Sequence, residues 1–172
     1  MNLQSSDFEL FGVLKQFAQD RAQLDARWKE LQREVHPDNF AQQGGAAQRI
    51  AMQWSVRVNE AYQRLKSPLA RAAYICELAG VPVDAHSNTA MPAAFLMQQM
   101  QWRETLDEAQ DLQALEALQA QVNALQSKLM SECASVLDEQ GDYAAAVALI
   151  RSLLFIEKFG RDLDQRFEAL EN

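Results

Sequence analysis

The residues with the clearest chemical capacity are His36, Pro37 and Asp38, preceded by the cations Arg27, Lys29 and Arg33. An imidazole and a carboxylate two residues apart offer either an acid–base pair or two ligands for a metal. A metal site needs three or four ligands, however, and the second histidine, His86, stands in a stretch with turn composition. Taken alone, the tripeptide reads as a turn carrying solvated charges. Pro37 lacks an amide donor and restricts His36, and the pair Gly44-Gly45 relaxes the backbone, so residues 36–45 read as a loop. The cations upstream offer long-range attraction to an acidic partner, diluted by Glu30 and Glu34. Arg27 and Lys29 are each equally consistent with an ordinary solvated helix face.

A second constellation starts at Phe95 and runs through Leu96, Met97, Met100, Gln101, Trp102, Arg103 and Glu104. At about 100° per residue, Phe95, Trp102 and Leu106 share one face, while Leu96, Met97 and Met100 fall on another beside Glu104 and Glu108. One face supplies a core. The other is either the edge of a wide buried arc or an adaptable protein-binding surface of flexible thioethers next to carboxylates. Phe155 lies off the Leu153–Ile156 seam and fits the same surface.

The elements that must position these groups are helical. Phe8 to Phe17 form an apolar opening broken at Gly12, a short helix and a loop. Asp20 and Gln23 resemble a capping pair. Leu24, Trp28, Leu31 and Val35 then trace one helix face that Pro37 ends, and Ile50, Trp54, Val58, Tyr62 and Leu65 trace a second helix that packs back as a hairpin. Ser67-Pro68 caps and starts a shorter helix that ends near Gly80. Residues 81–91, with two prolines at or beside them, read as a linker and domain boundary. Beyond it Leu115, Leu118, Val122, Leu125, Leu129 and Val136 hold a stripe that Gly141-Asp142 stops. Leu149, Leu153, Ile156, Leu163, Phe167 and Leu170 hold another, with Gly160 allowing a close backbone approach. Three helices in this half can bury their stripes against one another.

The chain of 172 residues is 48% hydrophobic and carries a net charge of −8, which argues against binding to a nucleic-acid backbone. Residues 1–92 hold 10 basic and 10 acidic side chains, and residues 93–172 hold 6 and 14, so the negative charge belongs to the second half. Cys76 and Cys133 have neither metal-ligand spacing nor a disulfide framework and read as packed, reduced thiols. Without a secretory signal or a run of roughly 20 apolar residues, a reducing cytoplasm is expected, with no membrane partner.

Arg27 to Asp38, the following loop, the helix ending Val58-Asn59-Glu60-Ala61-Tyr62, and Ser67 to Tyr74 together resemble a J domain. In that family the His-Pro-Asp loop and the basic face of the preceding helix dock onto a DnaK-type ATPase chaperone and promote ATP hydrolysis. The resemblance implies this role for His36, Pro37, Asp38, Arg27, Lys29 and Arg33. One departure is Asn39, where many J domains carry a basic residue. Phe95-Leu96-Met97, Arg103-Glu104, Leu106-Asp107-Glu108 and Phe155 to Phe159 narrow the likeness, which covers nearly the whole chain, to the HscB family of iron–sulfur cluster assembly.

That likeness implies a co-chaperone and not an enzyme, without cofactor or metal. Its partners would be an HscA-type chaperone and an IscU-type scaffold protein, the scaffold held by Leu96, Met97, Met100, Gln101, Glu104, Glu108 and Phe155. Gln101 stands where some relatives have an acid, and the lack of a cysteine-rich extension before the J domain points to the bacterial form. The expected fold is all-α and L-shaped: a J-domain helical hairpin over residues 1–75, a connecting helix end and linker over 76–91, and a three-helix bundle over 92–172. The competing readings are a J-protein for another client, a structural helical module, and a metal-dependent enzyme using His36, Asp38 and His86.

Overall fold

The structure, a computed structural model, describes residues 2–84 and 91–171. These residues form seven α-helices and no strand: α1 Asp7–Phe11, α2 Arg21–Glu34, α3 Gly45–Lys66, α4 Pro68–Leu78, α5 Ala93–Glu108, α6 Leu112–Ser135 and α7 Tyr143–Glu171. The all-α expectation therefore holds. The chain divides into two compact units, Met1–Ile75 and Cys76–Asn172. No helix among the described residues is long and apolar enough to cross a membrane.

In the first unit, α1 is only 5 residues long and is fixed at both ends. Ser6 Oγ accepts from the Glu9 amide at 3.2 Å while Glu9 Oε2 accepts from the Ser6 amide at 2.8 Å, satisfying two amides that a helix start leaves unpaired. Gly12 closes the helix at φ +65°, a left-handed conformation that costs glycine nothing. Asp20 caps α2 as expected, accepting from the amides of Ala22 and Gln23.

Leu24 and Leu31 of α2 are buried with Val58, Tyr62 and Leu65 of α3. Trp28 pairs with Tyr62 and Asn59, and Gln32 with Asn59 and Ser55, so partners descend along α3 as they ascend along α2, the signature of an antiparallel hairpin. Ile50 does not belong to this face: it is 55% exposed and Ala51 is buried in its place. Successive steps of four residues each overshoot a 3.6-residue turn, so a stripe running 50, 54, 58, 62 fans around the helix and its first member leaves the core.

Residues 36–45 are also more ordered than a loop. Pro37–Gln43 form a 3₁₀ segment with His36 as its cap, Gly44 sits at φ +94°, and Gly45 already begins α3. Ser67 Oγ caps the start of α4, accepting from the Ala70 amide at 3.3 Å. Buried Arg71 ties that helix down by donating to the carbonyls of Phe17 and Leu65.

The second unit is built on α5, α6 and α7. Trp102 and Leu106 of α5, Leu115, Leu118 and Val122 of α6, and Ile156, Phe159 and Leu163 of α7 form one buried cluster. Phe95, Leu125, Leu129, Phe167 and Leu170 pack half-buried against it. Cys76 and Cys133 are buried and free of any disulfide.

Two expectations fail here. After Ser135 the helix widens into a π turn over Val136–Gln140, and the buried positions here are Cys133 and Leu137, with Val136 only half-buried. Gly160 makes no close approach, because a Cβ built there meets nothing within 4 Å. Gly141, at φ +63°, and the Asp142 carboxylate, accepting from the Ala145 amide at 3.1 Å, do stop one helix and start the next. Of the linker stretch, 81–84 lie outside any helix, and Arg151 Nε donates to the Val83 carbonyl at 3.0 Å. Residues 85–90, including His86, lie outside the described residues.

Candidate functional sites

The first site is the turn after α2. The His36 side chain folds back so that Nδ1 accepts from the Asp38 amide at 3.3 Å and lies 3.5 Å from Asp38 Oδ2. Both side chains remain well exposed on the turn. The Asn39 amide donates to the His36 carbonyl at 3.0 Å, and Asn39 Nδ2 donates to the Arg33 carbonyl at 2.6 Å. Gln32, Arg33, His36 and Asn39 line a shallow hollow of about 400 Å³.

Lys29 and Arg33 are exposed beside this turn. Arg27 is half-buried and lies 3.2 Å from Glu30 and 3.9 Å from Glu34, which takes up part of its charge. Among the described residues no group of three His, Cys, Asp or Glu is placed to hold a metal ion. The metal-dependent reading also relies on His86, which lies outside the described residues.

Behind the turn, α2 and α3 are joined by a polar ladder that sequence reading missed. Trp28 stacks on Tyr62 with ring centroids 4.9 Å apart, and its Nε1 donates to Asn59 Oδ1 at 2.9 Å. Gln32 Nε2 donates to the same oxygen at 2.7 Å, and Ser55 Oγ donates to Gln32 Oε1 at 3.0 Å. Trp28 is thus engaged within the hairpin. At its far end the Tyr62 hydroxyl donates to Asp25 at 2.6 Å and Arg21 Nε donates at 2.7 Å. These bonds hold the Asp25 carboxyl below the usual carboxylate range, the Tyr62 hydroxyl contributing most, and they raise Tyr62 in turn.

The second site lies along α5 and α7. Leu96, Met97 and Met100 are 43%, 70% and 72% exposed and Phe155 is 40% exposed, so the wide buried arc is not what the bundle forms. Met97, Met100, Gln101, Glu104, Glu108 and Phe155 line one open hollow of about 870 Å³. Leu96, also expected here, is exposed but does not line it.

The lining of this hollow also includes Trp102, Arg103 and Phe159, which are not among the residues expected to hold a partner. Trp102 lies 5.6 Å from Phe159, and its buried Nε1 has no hydrogen-bond partner. Arg103, itself exposed, sits over the Phe159 ring at 5.2 Å and pairs with Asp162 at 2.9 Å, linking α5 to α7 along the hollow. A core role for Trp102 was visible in the periodicity; its place in the wall of a surface hollow depends on how α7 packs across it.

The hollow is open, lined by apolar side chains and edged with the carboxylates of Glu104, Asp107 and Glu108. Comparison with known proteins places the chain in a family. Residues 91–164 match the family described as "HSCB C-terminal oligomerisation domain". A "Co-chaperone protein HscB homolog" of Bordetella petrii is 48% identical over 157 residues, covering 91% of this chain and 92% of its own. That of Burkholderia multivorans is 45% identical, with 99% of each chain covered. The solved structure of "Chaperone HscB from Vibrio cholerae" has a TM-score of 0.85 at 34% identity, covering 96% of this chain and 99% of that one. The class is therefore that of the all-α co-chaperones. Within it, the chain belongs to the HscB family.

Proposed function

We propose that the chain carries an IscU-type iron–sulfur scaffold protein to an HscA-type chaperone of the DnaK family and stimulates that chaperone's ATPase, aiding cluster assembly and transfer. The first unit acts as the J domain: the turn at His36, Pro37 and Asp38, with Arg33, Lys29 and Arg27 beside it, meets the ATPase. The second unit holds the scaffold through Leu96, Met97, Met100, Gln101, Glu104, Glu108 and Phe155. The observation that carries this reading is the exposure of Met97, Met100 and Phe155 around one hollow in a unit whose core is complete without them. Flexible thioethers and an aromatic edge suit a partner's apolar patch, and Glu104 and Glu108 favour one ringed by positive charge.

Carrying both contacts on one chain raises the effective concentration of scaffold at the chaperone. The test is steady-state ATP hydrolysis by the HscA-type chaperone with scaffold, with this protein, with both, and with the His36→Gln variant. Synergy with scaffold is expected, lost in the variant while scaffold still binds. Absence of any stimulation by the folded wild-type protein would overturn the proposal.

A further inference from the structure

We propose that Asn39 is a positioning residue for the His36-Pro37-Asp38 turn, supplying through its side chain the hydrogen bond that Pro37 removes from the end of α2. In an α-helix each carbonyl accepts from the amide four residues on, so the Arg33 carbonyl would be served by residue 37. Residue 37 is a proline and has no N–H. The carbonyl is nonetheless paired, because Asn39 Nδ2 reaches back six residues and donates to it at 2.6 Å.

Two further bonds then close the turn from the same side: the Asn39 amide to the His36 carbonyl at 3.0 Å, and the Asp38 amide to His36 Nδ1 at 3.3 Å. The Asn39 side chain is bonded before the turn and its backbone within it, so this one residue fastens the turn to the C-terminal end of α2. The imidazole and carboxylate are exposed and have little packing to hold them. Their presentation therefore rests on this short polar clasp. Asn39 does so without charge, on a helix end whose partial negative charge would equally have received a cation.

This inference rests on the chaperone-stimulating reading of the turn, and the consequence for activity follows from population arithmetic. A turn released from Arg33 still visits the presenting geometry, but for a smaller fraction of the time, and apparent affinity falls by that fraction while the bound complex is unchanged. The variants are Asn39→Ala, which deletes the donor, and Asn39→Asp, which keeps the shape but sets a carboxylate oxygen against the Arg33 carbonyl.

Two readouts decide. In the free protein, NMR amide shifts of residues 36, 38 and 39 should move in both variants, and exchange of the residue 39 amide should quicken about fivefold, with Tm unchanged within about 2 °C, as for an exposed substitution. In the ATPase assay the concentration for half-maximal stimulation should rise with the plateau kept, by the factor by which the competent fraction of the turn falls. Unchanged shifts and exchange in Asn39→Asp would overturn the clasp. A loosened turn with an unchanged half-maximal concentration would overturn its use in positioning, as would a fallen plateau at constant half-maximal concentration, which marks a direct contact in the activated complex. Failure of the wild-type protein to stimulate at all would overturn the function proposed above, while the free-protein NMR would still decide whether Asn39 holds the turn.

Discussion

The carboxylate of Asp7 is fully buried and gripped by the Arg64 guanidinium, which donates from Nε to Oδ2 at 2.6 Å and from Nη2 to Oδ1 at 3.1 Å. Arg57 Nη1 adds a second cation 2.7 Å from Oδ1, and the Asp7 amide donates to the Tyr74 hydroxyl at 3.0 Å. A residue in the first turn of a 5-residue helix thereby ties α1 to α3 and α4. The two arginines are partly solvated, which softens the cost of losing their partner. Asp7→Asn is expected to destabilise the first unit by about 2–4 kcal/mol. Urea unfolding, with amide exchange in α1 and α3 to locate the loss, checks it.

At the hollow of the second unit the expectation is reversed. Met97→Ala removes a side chain that is largely in water, so Tm should stay within about 2 °C of wild type, while Phe155→Ala, at a ring only 40% exposed, should lower it somewhat more. Binding of an IscU-type scaffold should weaken by about 1–3 kcal/mol for each, measured by calorimetry, as for apolar anchors at the centre of a protein contact. Equal losses of stability and binding would return these residues to the core.

The stripes of Leu115, Leu118 and Val122, and of Leu153, Ile156 and Leu163, could be read from the sequence because a 3.6-residue period repeats there without interruption. Val136 leaves the stripe because the buried positions of this helix after Val122 are Cys133 and Leu137, and a small residue such as Cys133 gives little signal of a core position. The face carrying Leu96, Met97 and Met100 could be drawn but not assigned, since the width of the buried arc depends on how closely α6 and α7 approach α5. The ladder from Trp28 through Asn59 to Gln32 and Ser55 joins residues some 23 to 31 positions apart. Such partners become legible only when two helices are set in register.

Cys133 is fully buried, and burial pushes its thiol up from 9.0 to about 11, with the Cys76 and Asp138 charges adding smaller repulsions. A folded-state value above the unfolded one means that the contribution to stability is complete below pH 9 and lost as pH rises through about 11. Chemical denaturation between pH 8 and 11 should therefore show falling stability, and Cys133→Ala should flatten that slope. In the native protein at pH 8, thiol reagents should label Cys133 only at the rate of opening.

Gly160 lies within α7, has no neighbour within 4 Å of where a Cβ would stand, and helps line a hollow of about 380 Å³ with Ile156 and Leu163. Gly160→Ala is expected to stabilise the second unit by about 0.5–1 kcal/mol by raising helix propensity, seen as a higher urea midpoint.

The same vacancy has a practical meaning. Position 160 has open space for the Cβ of an introduced cysteine, to which a fluorophore or spin label can be attached. The native thiols at 76 and 133 are buried and hold their protons, so a reagent at neutral pH would find the new one first. The helix interior thus offers an addressable handle for following the second unit while the residues around Met97 and Phe155 are left untouched.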